Sequence, residues 1–146
     1  AVSEVVRMLR RQRLPLPTEL ARWAPAALLV SGDRALTAAV RRAVDANHPT
    51  TELLVAKDPF AAGEIVGAKQ PSLVVLDLDL RAVDGEDFCH LLAARPLHQR
   101  PHVCAVSGPL GKSRRARLAK AGVARWMTKP VNADLLAREF LTALGQ

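Results

Sequence analysis

Three polar residues follow three apolar segments of the chain, and their chemistry is complementary. Asp77 is the sixth residue of the segment SLVVLDL, Ser107 ends HVCAVS, and Lys129 follows ARWMT and precedes Pro130. If these segments are parallel strands, their carboxyl ends meet at one edge of a sheet. A carboxylate, a hydroxyl and an ammonium that converge there suit acyl-phosphate chemistry. The carboxylate would be the nucleophile, the hydroxyl would bind the phosphoryl group, and the ammonium would pair with its charge.

Each of these residues also has a simpler interpretation. An aspartate after a strand is commonly a helix cap or a turn residue, and a lysine before a proline is commonly a solvated loop charge. The peptide bond before Pro130 is a candidate for the cis form. The recurrence of three such residues after three successive strands favours a common site over three unrelated loop positions.

The segments that must position this site alternate regularly from Ala26 onward. Apolar runs of strand length alternate with amphipathic or capped segments of helix length. The predicted strands are AALLVS, TELLVA, SLVVLDL, HVCAVSG and ARWMT, and the predicted helices are DRALTAAVRRAVDA, DPFAAGEIVGA, GEDFCHLLAA, KSRRARLAKAG and NADLLAREFLTALG. Continuous apolar strands indicate a parallel sheet that helices cover on both faces, so residues 26–146 are predicted to form an α/β doubly wound domain.

Several predicted helices carry recognisable end signals. Asp58 is placed to cap the second helix, with Pro59 at its first helical position. Gly122 is expected to stop the fourth helix, Asn132 to cap the fifth and Gly145 to close it.

The segment of residues 1–25 differs from the rest of the chain. Its apolar residues at helical spacing are Val2, Val5, Val6 and Leu9. Pro15 and Pro17 are expected to end this helix and to begin a linker, and Pro25 marks the entry to the main domain. Because the chain starts within a helix and without Met, we expect it to be a piece of a longer protein.

Composition narrows the class of protein. The chain has 146 residues, of which 49% are hydrophobic and 24% charged, as in an ordinary globular domain. No apolar run has the length of a membrane span and no signal-peptide pattern opens the chain, so we expect a cytoplasmic protein with no membrane partner. Cys89 and Cys104 lie in apolar contexts and are predicted to be buried thiols. The net charge of +7 permits contact with nucleic acid without establishing it.

About residues 26 to 145 resemble a bacterial response-regulator receiver domain. PSLVVLDLDLRAVDGEDFCHLL is similar to the family's phosphoacceptor strand and the Asp-Gly pair that opens the third helix. The resemblance places Asp77 at the phosphorylated position, with Asp84 and Gly85 as the pair. HVCAVSG is similar to the strand that ends in a hydroxyl residue, here Ser107, followed by a small residue, here Gly108.

WMTKPVNADLL is similar to the Lys-Pro motif of the same family. The resemblance places Lys129 at the conserved lysine and Trp126 at the aromatic switch position. It implies a flavodoxin-like, five-stranded parallel sheet with strand order 2-1-3-4-5, preceded here by an N-terminal helical extension. It also implies a signalling module of a two-component system, not an enzyme.

The chain departs from the family at the positions that bind magnesium. Ser31 and Gly32 stand where receivers have an acidic pair, and Arg81 replaces a usual proline. Asp33 is expected to cap the following helix and not to replace the pair. Because a hydroxyl is a poor ligand and glycine has no side chain, we expect weak or no Mg²⁺ binding, no other cofactor and no catalytic residue.

Two further expectations concern the charges at this edge. Strand alternation predicts that the side chain of Asp79 points away from the site. Lys129 is then expected to face mainly Asp77 as a permanent ion pair. We therefore predict an atypical receiver that works independently of phosphorylation.

Three alternatives stay open on the sequence. Asp77 and Asp79 also fit the Asp-x-Asp of haloacid-dehalogenase-type phosphohydrolases, but no late acidic pair follows Lys129. The domain could instead be a conventional phosphoaccepting receiver. The basic segment KSRRARLAK could contact nucleic acid directly, although it reads equally well as a solvated helix face.

Two partner predictions complete the hypothesis. VVRMLRRQRLPLPTEL resembles the tail of an excisionase-type or MerR-like DNA-binding domain. DNA contact would then come through a part of the protein that precedes Ala1. The alternative is a plain amphipathic helix that packs on the domain or pairs with another copy of the chain. We also predict that the chain forms a homodimer, or binds a protein partner, through the surface of helix 4, strand 5 and helix 5. Its predicted charges are Lys112, Arg114, Arg115, Arg117 and Lys120 against Asp134 and Glu139.

Overall fold

A computed structural model describes residues 5, 8, 9, 12, 25–48, 50–80 and 84–143. Between residues 25 and 143 these residues form strands that alternate with helices. The strands are β1 (Ala26–Val30), β2 (Glu52–Ala56), β3 (Leu73–Asp77), β4 (His102–Ser107) and β5 (Arg125–Thr128). The α-helices are α1 (Arg34–Asn47), α2 (Pro59–Lys69), α3 (Gly85–Ala93), α4 (Lys112–Lys120) and α5 (Ala133–Ala143), and a short 3-10 helix spans Leu97–Gln99.

The strands form one parallel sheet in the order β2-β1-β3-β4-β5. The chain winds from β1 outward to β2 and then returns past β1 to β3. The order therefore reverses between β1 and β3, and ligands of such sheets bind at the carboxyl ends of the strands beside that reversal. The predicted fold class and strand order are confirmed.

Two hydrophobic clusters hold the helices against the two faces of the sheet. On one face, α1 and α5 pack through residues such as Val40 and Phe140 against Leu29 and Val75. The other face belongs to α2, α3 and α4, whose buried residues include Val66, Phe88 and Leu118. Neighbouring residues of one strand enter opposite clusters, which explains why the strands are apolar without interruption. Burial of each large apolar side chain contributes about 2 kcal/mol.

The predicted helix signals are confirmed where the structure describes them. The Asp58 carboxylate accepts a hydrogen bond from Ala61 N at 2.8 Å, and Pro59 occupies the first turn of α2. The Asn132 side chain accepts from the backbone of the first turn of α5. Gly122 follows α4 with a φ of 109°, a left-handed conformation that favours glycine. Gly145 lies outside the described residues.

Little of the N-terminal segment falls within the described residues. Val5, Met8 and Leu9 are helical, and Gln12 N donates to Met8 O at 3.2 Å. Val2, Val6, Pro15 and Pro17 lie outside the described residues, so the linker and the boundary near residue 25 stay predictions. In the part of the chain that is described, no helix is long and apolar enough to cross a membrane.

The two cysteines are buried, as predicted. Burial, followed by the nearby Glu86 carboxylate, raises the pKa of the Cys89 thiol to about 11. Burial is also the main cause that raises the pKa of Cys104 to about 12, with Glu139 adding to it and Arg125 opposing it. Both thiols are therefore protonated near neutral pH and serve as core side chains.

Candidate functional site

Three strands end at the same edge of the sheet and bring three of the predicted residues together. Ser31 follows β1, Asp77 ends β3 and Lys129 follows β5. Ser31 is fully buried and Asp77 is 3% exposed. The Ser31 hydroxyl donates a hydrogen bond of 2.6 Å to Asp77 Oδ2. The peptide bond between Lys129 and Pro130 is cis.

Lys129 lies at the centre of this cluster and contacts three carboxylates. Its Nζ is 3.0 Å from Asp77 Oδ1 and 3.1 Å from Asp77 Oδ2. The same atom is 3.1 Å from Asp33 Oδ2 and 3.3 Å from Asp79 Oδ2. The prediction that Lys129 faces mainly Asp77 is therefore wrong, because one ammonium is shared among three acids.

The pKa of Lys129 reflects this arrangement. Partial burial alone would lower it. The hydrogen bonds to Asp77 and Asp33, with the attraction of the Asp77 charge, outweigh burial and raise the pKa above its usual value. Lys129 therefore stays charged over the physiological pH range.

Asp33 has two roles, of which the sequence indicated one. Its Oδ1 accepts hydrogen bonds from Ala35 N at 2.9 Å and Leu36 N at 3.2 Å, so it caps α1 as predicted. Its other oxygen contacts Lys129. The Leu36 amide, and then Lys129, lower the pKa of this carboxyl. Asp33 lies shortly after β1 and Lys129 directly after β5, at the same ends of the strands. Their positions in the predicted sheet could have revealed the contact between them.

Asp79 faces the site, so the prediction that it points away is wrong. Strand alternation does not reach it, because β3 ends at Asp77 and a turn follows. Within the turn, Asp79 N donates to Asp77 Oδ1 at 3.0 Å. Its Oδ2 accepts from Gly108 N at 3.1 Å and contacts Lys129. The turn therefore adds a third carboxylate to the site.

The residues present do not fit the magnesium ion that receivers use. Mg²⁺ requires several oxygen ligands in near-octahedral geometry. Gly32 supplies no side chain, and the Ser31 hydroxyl is donated to Asp77. The three carboxylates instead surround the ammonium of Lys129. Among the described residues, no group of three or more His, Cys, Asp or Glu side chains has the geometry of a metal site. Arg81 lies outside the described residues.

Ser107 is directed away from this cluster. Its hydroxyl donates to the carbonyl oxygen of Gly108 and accepts a 3.0 Å hydrogen bond from Trp126 Nε1. The guanidinium of Arg115 lies 4.5 Å from the centre of the Trp126 ring. Ser107 and Trp126 thus form a second unit, which connects the edge of the sheet to α4.

Comparison with known proteins identifies the family. The sequence model of the family described as "response regulator receiver domain" matches residues 27–140 of this chain. The chain belongs to this family. Family membership removes the alternative in which Asp77 and Asp79 serve a haloacid-dehalogenase-type phosphohydrolase.

Two curated relatives are about one-third identical to this chain over the aligned residues. The first is protein-glutamate methylesterase/protein-glutamine glutaminase 5 of Anaeromyxobacter dehalogenans, 32% identical over 108 residues, which are 73% of this chain and 29% of the relative. The second is protein-glutamate methylesterase/protein-glutamine glutaminase of Thiobacillus denitrificans, 31% identical over 106 residues, which are 70% of this chain and 29% of the relative. The chain thus spans about 29% of the length of these relatives.

Solved structures show the same fold. The signal receiver domain of the DNA-binding response regulator protein (merR) of Colwellia psychrerythraea has a TM-score of 0.76 and 24% identity, with 84% of this chain and 99% of that chain covered. The receiver domain of a response regulator of Bermanella marisrubri has a TM-score of 0.71 and 26% identity, with 82% and 97% covered.

Proposed function

We propose that this receiver is a protein-interaction module that signals without phosphorylation of Asp77. The observation that carries the proposal is the binding of the Lys129 ammonium by Asp33, Asp77 and Asp79 beside a serine and a glycine at the metal positions. The three carboxylates already share the ammonium of Lys129 as a partner.

Charge is the physical reason for the proposal. Attack by the Asp77 carboxylate on a phosphodonor brings two anions together, and a divalent cation normally neutralises the phosphoryl oxygens during transfer. Lys129 offers a single positive charge, which three carboxylates already share. A phosphoryl group on Asp77 would add negative charge to a cluster whose acids exceed its cations.

The contacts of Ser107 and Trp126 also support signalling without phosphorylation. In acyl-phosphate chemistry Ser107 would bind the phosphoryl group, but its hydroxyl is engaged by Trp126 and Gly108. Trp126 is held on its other side by Arg115. These contacts connect α4 to β5 without a phosphoryl group at Ser107, as the proposed function requires.

The proposal also places the domain in a longer intracellular regulator. The curated relatives extend well beyond the region matched here, and the structure from Colwellia psychrerythraea is the receiver of a DNA-binding response regulator. In this proposal any DNA contact is made by another part of the regulator, which fits the MerR-like pattern of residues 5–20. The receiver contributes the protein contact.

Intact-mass measurement after incubation with acetyl phosphate and MgCl₂ tests the proposal. We expect the protein to keep its unmodified mass, while a conventional receiver in the same buffer gains one phosphoryl group. Asp77→Asn is the matched control, because it removes the acceptor and nearly preserves its shape. A stoichiometric adduct on the natural protein that is absent from Asp77→Asn would overturn the proposal.

A further inference from the structure

A cavity of about 220 Å³ lies between α3, the end of α4 and the start of β4. Its inner wall consists of buried side chains from the core cluster of this face, namely Cys89, Leu92, Val103 and Ala121. Its rim consists of more accessible residues, namely Ala93, Arg100, Pro101 and Gly122. The cavity is therefore an apolar recess that reaches the core and opens at the surface.

Small residues leave this space open. Cys89 and Ala93 lie four residues apart on α3 and therefore share one side of the helix. Across the cavity, α4 is followed by Ala121 and Gly122, and the left-handed φ of Gly122 favours a residue without a side chain. Apart from its chain neighbours, no described atom lies within 4 Å of the position that a Cβ of Gly122 would take. Because protein cores hold few voids larger than a water molecule, this opening beside the core is a candidate ligand site.

A positively charged side chain stands at the rim of the cavity. Arg100 Nε donates a hydrogen bond of 2.8 Å to the carbonyl oxygen of Arg95, which restricts the direction of the guanidinium. Arg100 forms no ion pair with an acidic residue that the structure describes. A guanidinium can bind a carboxylate through two parallel hydrogen bonds. The rim therefore offers a positioned cation to an acidic ligand.

The buried acid at the same ends of the strands already has basic partners. Glu139 is 4% exposed; its Oε1 lies 2.6 Å from Arg125 Nε, and its Oε2 lies 2.7 Å from His102 Nε2. Glu139 belongs to α5, which packs on the other face of the sheet, so its carboxylate does not neutralise Arg100. The prediction that Glu139 offers an acidic charge to a second copy of the chain is also wrong, because the side chain is buried and paired.

We propose that this cavity, defined by Cys89, Leu92, Ala93, Arg100 and Val103, binds a small molecule with one apolar ring or short apolar chain and one carboxylate. The apolar part would lie against Cys89, Leu92 and Val103, and the carboxylate would pair with Arg100. An apolar protein cavity of about 150 Å³ binds benzene. The space here therefore fits one ring with a short linker to the acid.

Amide NMR spectra of the isotope-labelled full chain test this inference with three probes. Phenylacetate carries a ring and a carboxylate, phenylacetamide has the same ring with a neutral amide of nearly the same shape, and acetate has the charge without the ring. We expect phenylacetate to shift the amides of α3 and the start of β4 along a saturable curve. It should bind about fivefold more tightly than phenylacetamide, and acetate should give no saturable shift at these amides.

Substitutions assign the binding to this cavity. Arg100→Gln should weaken phenylacetate by about fivefold, to the level of phenylacetamide, and leave phenylacetamide unchanged. Arg41→Gln removes the same charge at an exposed position of α1, on the other face of the sheet, and should change neither probe. Ala93→Leu fills the cavity from a partly exposed position and should weaken both ring compounds by about tenfold or more. The dispersion of the amide spectrum shows that each variant is folded.

Equal binding of phenylacetate and phenylacetamide, equal effects of the two arginine substitutions, a folded Ala93→Leu that binds normally, or no saturable shift would each overturn the inference. Binding of acetate as tight as that of phenylacetate would also overturn it, and would place the anion in the polar cavity that shares Arg100 and is lined by Gln70, Ser72 and His102. The cavity lies at the amino ends of the strands, and Asp77 lies at the carboxyl end of β3. Ligand binding there is therefore tested independently of phosphate uptake by Asp77, which is read by mass.

Discussion

The carboxyl ends of the parallel strands (the carboxyl edge) and their amino ends (the amino edge) each hold a buried carboxylate. The two carboxylates differ in the number of basic side chains that contact them. At the carboxyl edge, Asp77 shares one ammonium, that of Lys129, with two other acids. At the amino edge, Glu139 is bound by two basic side chains, His102 at the start of β4 and Arg125 at the start of β5. Asp77 and Glu139 are almost equally buried, at 3% and 4% exposure.

This difference indicates that the amino edge is structural and that the carboxyl edge is the functional site. At the amino edge, each oxygen of Glu139 has its own basic partner, so its charge is compensated within the fold. At the carboxyl edge, acids outnumber the cation, so the site depends on Lys129 for its stability. In the proposed function, this excess of negative charge disfavours the addition of a phosphoryl group to Asp77.

Replacement of Lys129 should give the largest effect. Lys129→Met removes the only side-chain cation that contacts Asp77 among the described residues, and leaves a buried carboxylate beside two others. We expect the free energy of unfolding at neutral pH to fall by about 3 kcal/mol. Urea denaturation measures it, with Lys57→Met, at an exposed position, as the control that should change by less than about 0.5 kcal/mol.

A double substitution sharpens that result. Asp77→Asn/Lys129→Met removes the buried charge with its partner, and should be more stable than Lys129→Met by at least about 1 kcal/mol. Additive effects of the two substitutions would show that these side chains are not coupled.

Glu139→Gln should give a smaller effect at the other edge. The amide keeps the size of the side chain but loses the charge that both His102 and Arg125 contact. Because Arg125 is largely solvated, its unpaired charge costs little, and we expect a loss of about 2 kcal/mol in urea denaturation. Glu64→Gln on the exposed side of α2 is the control. A loss larger than that of Lys129→Met would reverse the comparison of the two edges.

The smallest effect should be a dependence on alkaline pH. The folded state raises the pKa of Lys129, so its ammonium stabilises the fold fully below the pKa of the unfolded chain, about 10.4. This stabilisation is lost as the pH rises through the folded pKa. Denaturation between about pH 10 and pH 12 should show a steeper loss for the natural protein than for Lys129→Met. Parallel profiles of the two proteins would contradict the assignment.

The fold could be predicted because its signals are local. Apolar runs of strand length separate the helices, and Asp58 and Asn132 mark helix starts, so the order of elements follows from short stretches of sequence. The family resemblance supplied the strand order. The 3-10 helix at Leu97–Gln99 was not predicted, because a single turn carries no periodic pattern.

The site was predicted only in part, because its charges depend on loop geometry. Ser31 and Lys129 follow strands and Asp77 ends one, and strand ends can be placed from sequence. The direction of the Asp79 side chain was predicted wrongly, because the prediction extended β3 through this residue. The strand ends at Asp77, and Asp79 lies in the turn that follows. Glu139 was assigned to the surface because its partners, on β4 and β5, are distant in sequence and leave no local signal.

Restoration of the acidic pair tests the central claim most directly. Ser31→Asp/Gly32→Asp returns two carboxylates to the carboxyl edge, and the position of Gly32 has room for a side chain, since the nearest atom to an added Cβ is Leu80 Cδ1 at 3.6 Å. Mg²⁺ titration calorimetry and intact mass after treatment with acetyl phosphate are measured on this variant and on the natural protein. We expect Mg²⁺ binding and a phosphoryl adduct in the variant alone. Equal Mg²⁺ binding and an equal adduct in the natural protein, or a folded variant that stays inert, would contradict it.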